Sequence, residues 1–152
     1  MDFEPKDKSI LFDGPDKIQP GLLETFPYKY PHRGADLIIE TEEFTHVCPY
    51  SGLPDYARLR LHYIPREVCV ELRSLKYYLL SYRTVGIWYE HAINHLLEDL
   101  VRVLEPERLE VELTYNVRGG LRSIARATFD RQRGDVVPPP TPLTPDGMKS
   151  SA

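Results

Sequence analysis

The run Cys48-Pro49-Tyr50-Ser51-Gly52-Leu53-Pro54-Asp55 sets a thiol and a carboxylate seven positions apart, with two prolines and a glycine between them. Such a stretch folds back into a compact loop, so both groups can face one space. A thiol attacks an electrophilic carbon, and a nearby acid protonates the basic atom that the attack creates. The same residues also suit a buried structural cysteine and an aspartate at a strand start, and spacing alone does not choose between these readings. Cys69, between Val68 and Val70, reads as a buried, hydrophobe-like thiol.

A second cluster is Glu71-Leu72-Arg73-Ser74-Leu75-Lys76-Tyr77-Tyr78. Arg73 and Lys76 are three apart at a helix start, hence on one face, with Arg83 a further two turns along. Cations there oppose the helix dipole unless an anion sits beside them; otherwise they form a solvated basic face. Arg118-Gly119-Gly120 is a natural tight turn, able either simply to close a hairpin or to hold a guanidinium and glycine amides against a phosphate. In Trp88-Tyr89-Glu90, a glutamate in a first helical turn serves the dipole. Beside aromatic rings it can also accept paired hydrogen bonds from a guanine-like N1–H and amino group.

His46, Cys48, Cys69, His62, His91 and His95 are nominal metal ligands, but no Cys-x2-Cys unit frames them. His91 and His95 lie four apart on a helix, with His95 on its polar side, so no metal site is expected. The chain has no P-loop, no G-x-G-x-x-G, no Ser-His-Asp signature and no internal repeat. A redox cofactor, if used, is therefore not held by a Rossmann unit.

These groups must be positioned by elements that the hydrophobic pattern reveals. Residues 35–45 read as a strand by β-branched content, and residues 55–64 alternate cleanly with period two. Residues 68–71 are a short extended piece. Ser74 is placed to cap a helix through Leu75, Tyr78, Leu79 and Tyr82. Gly86 interrupts, and a second helix carries Ile93, Leu96, Leu97, Leu100, Val101 and Leu104 on one stripe, with His95, Glu98, Asp99 and Arg102 opposite. Strands 108–117 and 121–129 flank the Arg118 turn. Runs of strands around a helical pair indicate an α+β fold: an antiparallel four-stranded sheet with two helices between the second and third main strands. About 95 ordered residues make a thin core with two open sheet edges, which favours an oligomer.

Five of the 14 prolines precede residue 34 and five follow residue 129. Residues 1–33 read as an irregular but apolar extension, 34–130 as the folded domain, and 131–152 as an extended, disordered tail. At 152 residues the chain has the length of one domain. Its 41% hydrophobic content, 28% charge and net charge of -4 describe a soluble globule. The acidic balance argues against a bulk nucleic-acid binder, and no stretch reaches the roughly 20 apolar residues of a membrane span. The start offers no apolar segment that an export pathway reads, and two cysteines build no disulfide scaffold, so the cytoplasm is the expected compartment.

Taken together, Cys-Pro-x-x-Gly-x-Pro-Asp at 48–55, Glu-Leu-Arg-Ser-Leu-Lys-Tyr-Tyr at 71–78 and Arg-Gly-Gly at 118–120 resemble the QueF family in its short form. These are NADPH-dependent 7-cyano-7-deazaguanine reductases of queuosine biosynthesis, and the resemblance covers roughly residues 35–130. It implies the tunnelling fold, whose subunits assemble into barrel rings, commonly a decamer of two pentamers, with active sites between neighbours. It implies Cys48 as the nucleophile that forms a thioimide with the nitrile and Asp55 as the proton donor. Glu90 would grip the guanine-like edge, with Val70, Glu71, Leu72 and Tyr89 completing the base pocket. Arg73, Lys76 and Arg118 would meet NADPH phosphates. Two positions depart from the family pattern: Arg73 stands where the motif has lysine, and Tyr89 where some members carry histidine. A QueF-like amidinotransferase, acting on the nitrile base already in tRNA, would keep Cys48 and Asp55 without needing the three cations. A non-catalytic purine- or pterin-binding protein of the same fold would need only Glu90.

Overall fold

The computed structural model describes residues 12–137 and residue 139. Eight regular elements follow in order: β1 (Thr25–Pro27), β2 (Leu37–Val47), β3 (Pro54–Ile64), β4 (Val68–Val70), α1 (Leu72–Leu80), α2 (Tyr89–Leu104), β5 (Arg108–Tyr115) and β6 (Ile124–Asp130). The main sheet is antiparallel in the order β2-β3-β5-β6, with α1 and α2 between its second and third strands, while β1 and β4 pair in a separate two-stranded ribbon. The α+β reading and its strand–helix order hold.

The alternation in β3 and β5 explains the layering. Ala57, Leu59, Leu61 and Tyr63 of β3, and Leu109, Val111, Leu113 and Tyr115 of β5, are buried. They meet Ala92, Ile93, Leu96, Leu100, Val101 and Leu104 from α2 in one core. The opposite sheet face is polar, and Glu40, Arg60, Glu112 and Arg126 run across it from edge to edge as directly paired residues of alternating sign. Between Thr41 and Phe44 the β2–β3 register slips. This bulge lets Phe44 and His46 turn into the core, where both are buried.

Three local outcomes differ from the sequence reading. The α1 helix starts one turn earlier than a Ser74 cap would allow: Glu71 is the cap, its carboxylate accepting the Arg73 and Ser74 N–H groups. Ser74 lies in the first turn and ties it to the N-terminal segment, accepting the Glu24 N–H at 2.9 Å. Asp99, placed on the polar side of α2 by its charge, is only 6% exposed. It accepts the Tyr78 hydroxyl at 2.6 Å and an Arg102 N–H at 3.2 Å, so a polar knot joins α1 to α2. Thirdly, order continues past Asp130: a 3-10 turn at Arg131–Arg133 is capped by the Asp130 side chain, and Asp135 accepts the Asp130 N–H. Of the proline-rich tail, residues 138 and 140–152 lie outside the described residues, as do residues 1–11 of the N-terminal extension.

The described part of that extension is integrated with the fold. Ile18 and Leu23 are buried, and β1 pairs with β4. Among the described residues no helix is long and apolar enough to cross a membrane.

The Tyr78–Asp99 contact yields a stability test. Tyr78→Phe removes a donor from a buried carboxylate and is expected to cost about 1–3 kcal/mol. Urea unfolding of the two proteins measures it; an unchanged midpoint would show that Asp99 is satisfied without Tyr78.

Candidate active site

Strand pairing brings the thiol and carboxylate to one end of the sheet. Val47 pairs with Pro54 and His46 with Asp55, so the six residues Cys48–Leu53 close a hairpin. The Cys48 N–H donates to Leu53 O at 2.9 Å and the Gly52 N–H to Cys48 O at 2.8 Å, which makes this loop compact. Cys48 is half-buried and not in a disulfide, whereas Cys69 is buried. The Thr45 hydroxyl donates to Asp55 O at 2.7 Å and anchors that residue's backbone.

The segment ahead of α2 is sewn to the same hairpin. The Val47 N–H donates to Val85 O at 2.9 Å and the Ile87 N–H to Val47 O at 3.1 Å. On the other side of this segment, the Asp13 N–H donates to Thr84 O and the Gly86 N–H to Asp13 O. A Cβ at Gly86 would strike the Phe12 ring, so a larger residue there requires that ring to move. The chain thus delivers Tyr89 and Glu90, at the opening of α2, beside the Cys48 hairpin.

Arg118 approaches from the β5–β6 turn. Gly119 (φ 56) and Gly120 (φ 80) take the left-handed conformations of a tight two-residue hairpin, with Arg118 and Leu121 bonded across it. The guanidinium forms an ion pair with Asp55 at 2.7 Å and also donates to Pro54 O. The Arg118 side chain is 49% exposed and that of Asp55 21%, so the pair sits at the rim, where an incoming anion can compete for the arginine.

Beneath Asp55 lies a pair that sequence reading missed. His46 Nε2 and the Tyr115 hydroxyl share a buried hydrogen bond of 2.7 Å. Burial holds His46 below its usual range, although the Asp55 carboxylate pulls in the opposite direction. Burial, reinforced by the Asp55 and Glu90 carboxylates, pushes the Tyr115 hydroxyl far above its usual range. The Tyr115 ring also packs edge-on against Tyr89, with centroids 5.3 Å apart. The signal available in the sequence was only that His46 lies two residues before Cys48.

The remaining candidates gather elsewhere. Val70, Glu71 and Leu72 line a concavity of about 730 Å³ together with Phe26, Tyr28 and Tyr63. The Val70 N–H donates to the Tyr63 hydroxyl at 3.1 Å. Asp55 and Tyr63 are eight residues apart on β3, roughly 26 Å of strand at about 3.3 Å per residue. The Glu71 carboxylate, occupied by the Ser74 and Arg73 N–H groups, is held below its usual range. Arg73 and Lys76 project, exposed, from the start of α1. One chain therefore brings together Cys48, Asp55, Tyr89, Glu90 and Arg118, and holds Val70, Glu71, Leu72 and Arg73 at the other end of the sheet.

The fold and this cluster define a small α+β protein with a free, half-buried cysteine in a hairpin at one end of an antiparallel sheet. Residues 54–133 match the model of the QueF-like protein family. The chain is 48% identical over 118 residues to the NADPH-dependent 7-cyano-7-deazaguanine reductase of Caldicellulosiruptor bescii, covering 78% of this chain and 90% of that one. It is 45% identical over 130 residues to the enzyme of that name from Thermoanaerobacter pseudethanolicus, covering 84% and 98%. The crystal structure of an archaeosine synthase QueF-Like in the apo form superposes with a TM-score of 0.58 at 25% identity, over 61% of this chain and 91% of that one. The chain belongs to the QueF-like family.

His46 carries a pH signature. Its imidazole is harder to protonate folded than unfolded, so the unfolded state takes up the proton first as pH falls below about 6.5. The stability that neutral His46 contributes is complete above that pH and is lost on acidification, by up to about 1.4 kcal/mol per pH unit. His46→Gln is expected to flatten unfolding free energy between about pH 6.5 and 5 relative to wild type; identical slopes would remove His46 as the source.

Proposed function

We propose that the protein is an NADPH-dependent 7-cyano-7-deazaguanine reductase of queuosine biosynthesis, acting in the cytoplasm on the free base rather than on nucleic acid. The observation that carries this reading is the hairpin that puts Cys48 and Asp55 on one end of a sheet, in a chain 48% identical to an enzyme of that name. Cys48 Sγ adds to the nitrile carbon while Asp55 gives a proton to the nitrile nitrogen, forming a thioimide. Hydride from bound NADPH would be needed twice. Addition of the first to the thioimide carbon, with a proton on nitrogen, lets the C–S bond break and return Cys48 as thiolate, leaving an imine. The second, with a further proton, would give the primary amine. Glu90, with Tyr89, receives the guanine-like edge of the base.

Asp55 cannot give a proton while ion-paired to Arg118. The two arrangements are successive states of one residue, and Arg118 leaves for a phosphate when the site is filled. The donor set suits a polyanionic cofactor: Arg73 and Lys76 carry no ion pair among the described residues and reach solvent at α1.

Val70, Glu71 and Leu72 belong to the same base pocket in this reading, but to a neighbouring copy's pocket. The separation along β3 supports that division. So do the two open edges, β2 and β6, which end the charge row with Glu40 on one side and Arg126 on the other. Head-to-tail pairing of these edges continues the alternation of sign and closes a tunnelling-fold ring, with a double pentamer as the expected assembly.

NADPH oxidation with the free nitrile base should consume about two cofactors per base. Cys48→Ala should form no covalent adduct by mass spectrometry and make no amine. Asp55→Asn should still bind the base while turnover falls on the order of 10²–10⁴-fold. An adduct without NADPH oxidation in the wild type would favour an amidinotransferase, and neither signal would favour a binding protein.

A further inference from the structure

A groove of about 340 Å³ runs between α1 and the edge strand β2. Facing β2 are Leu72, Leu75, Lys76, Leu79 and Leu80 of α1, spaced three and four apart, with Arg83 in the turn that follows the helix. Arg73, although next to this stripe, is not part of the lining. Lys76 and Arg83 are the groove's only cations, both exposed, and neither has an ion-pair partner among the described residues. Among the described residues its one carboxylate, Glu43, stands on the β2 wall, so an anion would lie on the α1 side.

The groove also has a direction. Arg83 lies two residues before Val85, whose carbonyl accepts the Val47 N–H, and Val47 precedes Cys48. Lys76 is seven residues earlier, separated from it by the last turn of α1 and the turn that follows, a distance on the order of 10 Å. We propose that Arg83 is a further phosphate ligand for the dinucleotide, holding the pyrophosphate while Lys76 holds the adenosine 2′-phosphate. This rests on the reductase reading. Hydride must reach the carbon attached to Cys48, so the nicotinamide end points towards Arg83 and the adenosine end towards Lys76. A planar guanidinium suits the two-oxygen face of a pyrophosphate, and the Lys76 ammonium suits a terminal phosphate. The leucines of α1 supply an apolar wall for the adenine.

The test is titration of the full-length protein with NADPH and with NADH, following nicotinamide fluorescence. Arg83→Gln should weaken both dinucleotides by the same factor, about 10–100-fold, the loss expected for a charge-assisted contact. Lys76→Gln should weaken NADPH and leave NADH near its wild-type affinity. Arg83→Lys should recover part of the loss, and far-UV circular dichroism of each variant should match wild type. Unchanged NADPH affinity in Arg83→Gln, or a loss confined to NADPH, overturns the assignment. Wild-type protein that binds NADPH but never oxidises it with the nitrile base defeats the reductase reading alone, because the affinities still measure Arg83. Wild-type protein that binds neither dinucleotide overturns both.

Discussion

Two backbone hydrogen bonds decide the geometry of this protein: Val47 N–H to Val85 O, and Ile87 N–H to Val47 O. Each contributes on the order of 1 kcal/mol, yet together they set the relation between elements that the sheet alone would leave independent. The β2–β3 ladder can place Cys48 beside Asp55, but it says nothing about where α2 begins. The clasp at Val47 brings the opening of α2 alongside, so a thiol, a carboxylate and the Tyr89-Glu90 pair share one neighbourhood. The Asp13 bonds on the far side, with Phe12 over Gly86, hold this segment from behind. Gly86 reads in the sequence only as an interruption between helices; in the fold it is the place where two backbones and an aromatic ring meet so closely that a side chain would require the ring to move.

Elements governed by local periodicity were legible. Strand β3 shows its alternation, α2 its apolar stripe and the Arg118 turn its glycines, because these patterns follow from pleat, helical repeat and φ. What escaped was decided by tertiary partners. Asp99 falls on a polar arc by composition, but Tyr78 and Arg102 satisfy it in the interior. Glu71 displaced Ser74 as the α1 cap because Glu24, fifty residues upstream, donates to the Ser74 hydroxyl and keeps it inside the first turn. Strand β1 is three residues long and exists only because β4 pairs with it, so no window of sequence could announce it.

The candidate site was legible in its chemistry and less so in its placement. Cys48 and Asp55 carry a loop signature, and the loop forms. From its flanking glycines Arg118 reads as either a plain hairpin turn or a phosphate contact, and only the family resemblance makes it a cofactor ligand; its contact with Asp55 depends on the β3–β5–β6 order, which brings the turn over the start of β3. The His46–Tyr115 pair needs strands β2 and β5, which are not neighbours, to aim side chains towards each other across β3. The loop that carries Cys48 and Asp55 is thus recoverable from residue type and spacing, whereas the groups packed beneath and beside it are visible only once the sheet is assembled.

Strand length imposes the final constraint. Residues at opposite ends of β3 cannot touch one small planar base, whatever their side chains do, because extended backbone is inextensible and spans most of the domain. If the Cys48 end and the Val70–Leu72 end both serve the same ligand, they must come from different copies. The sheet has the features such an arrangement would use: one face is covered by two helices, an alternating row of charges crosses the other, and the two edges end that row with opposite signs. The closed ring proposed above would satisfy the edges and would bring one copy's aromatic-walled concavity towards the next copy's hairpin. In that ring assembly and catalysis would depend on the same ladder of strands, since the pairing that removes an exposed edge would also complete the pocket.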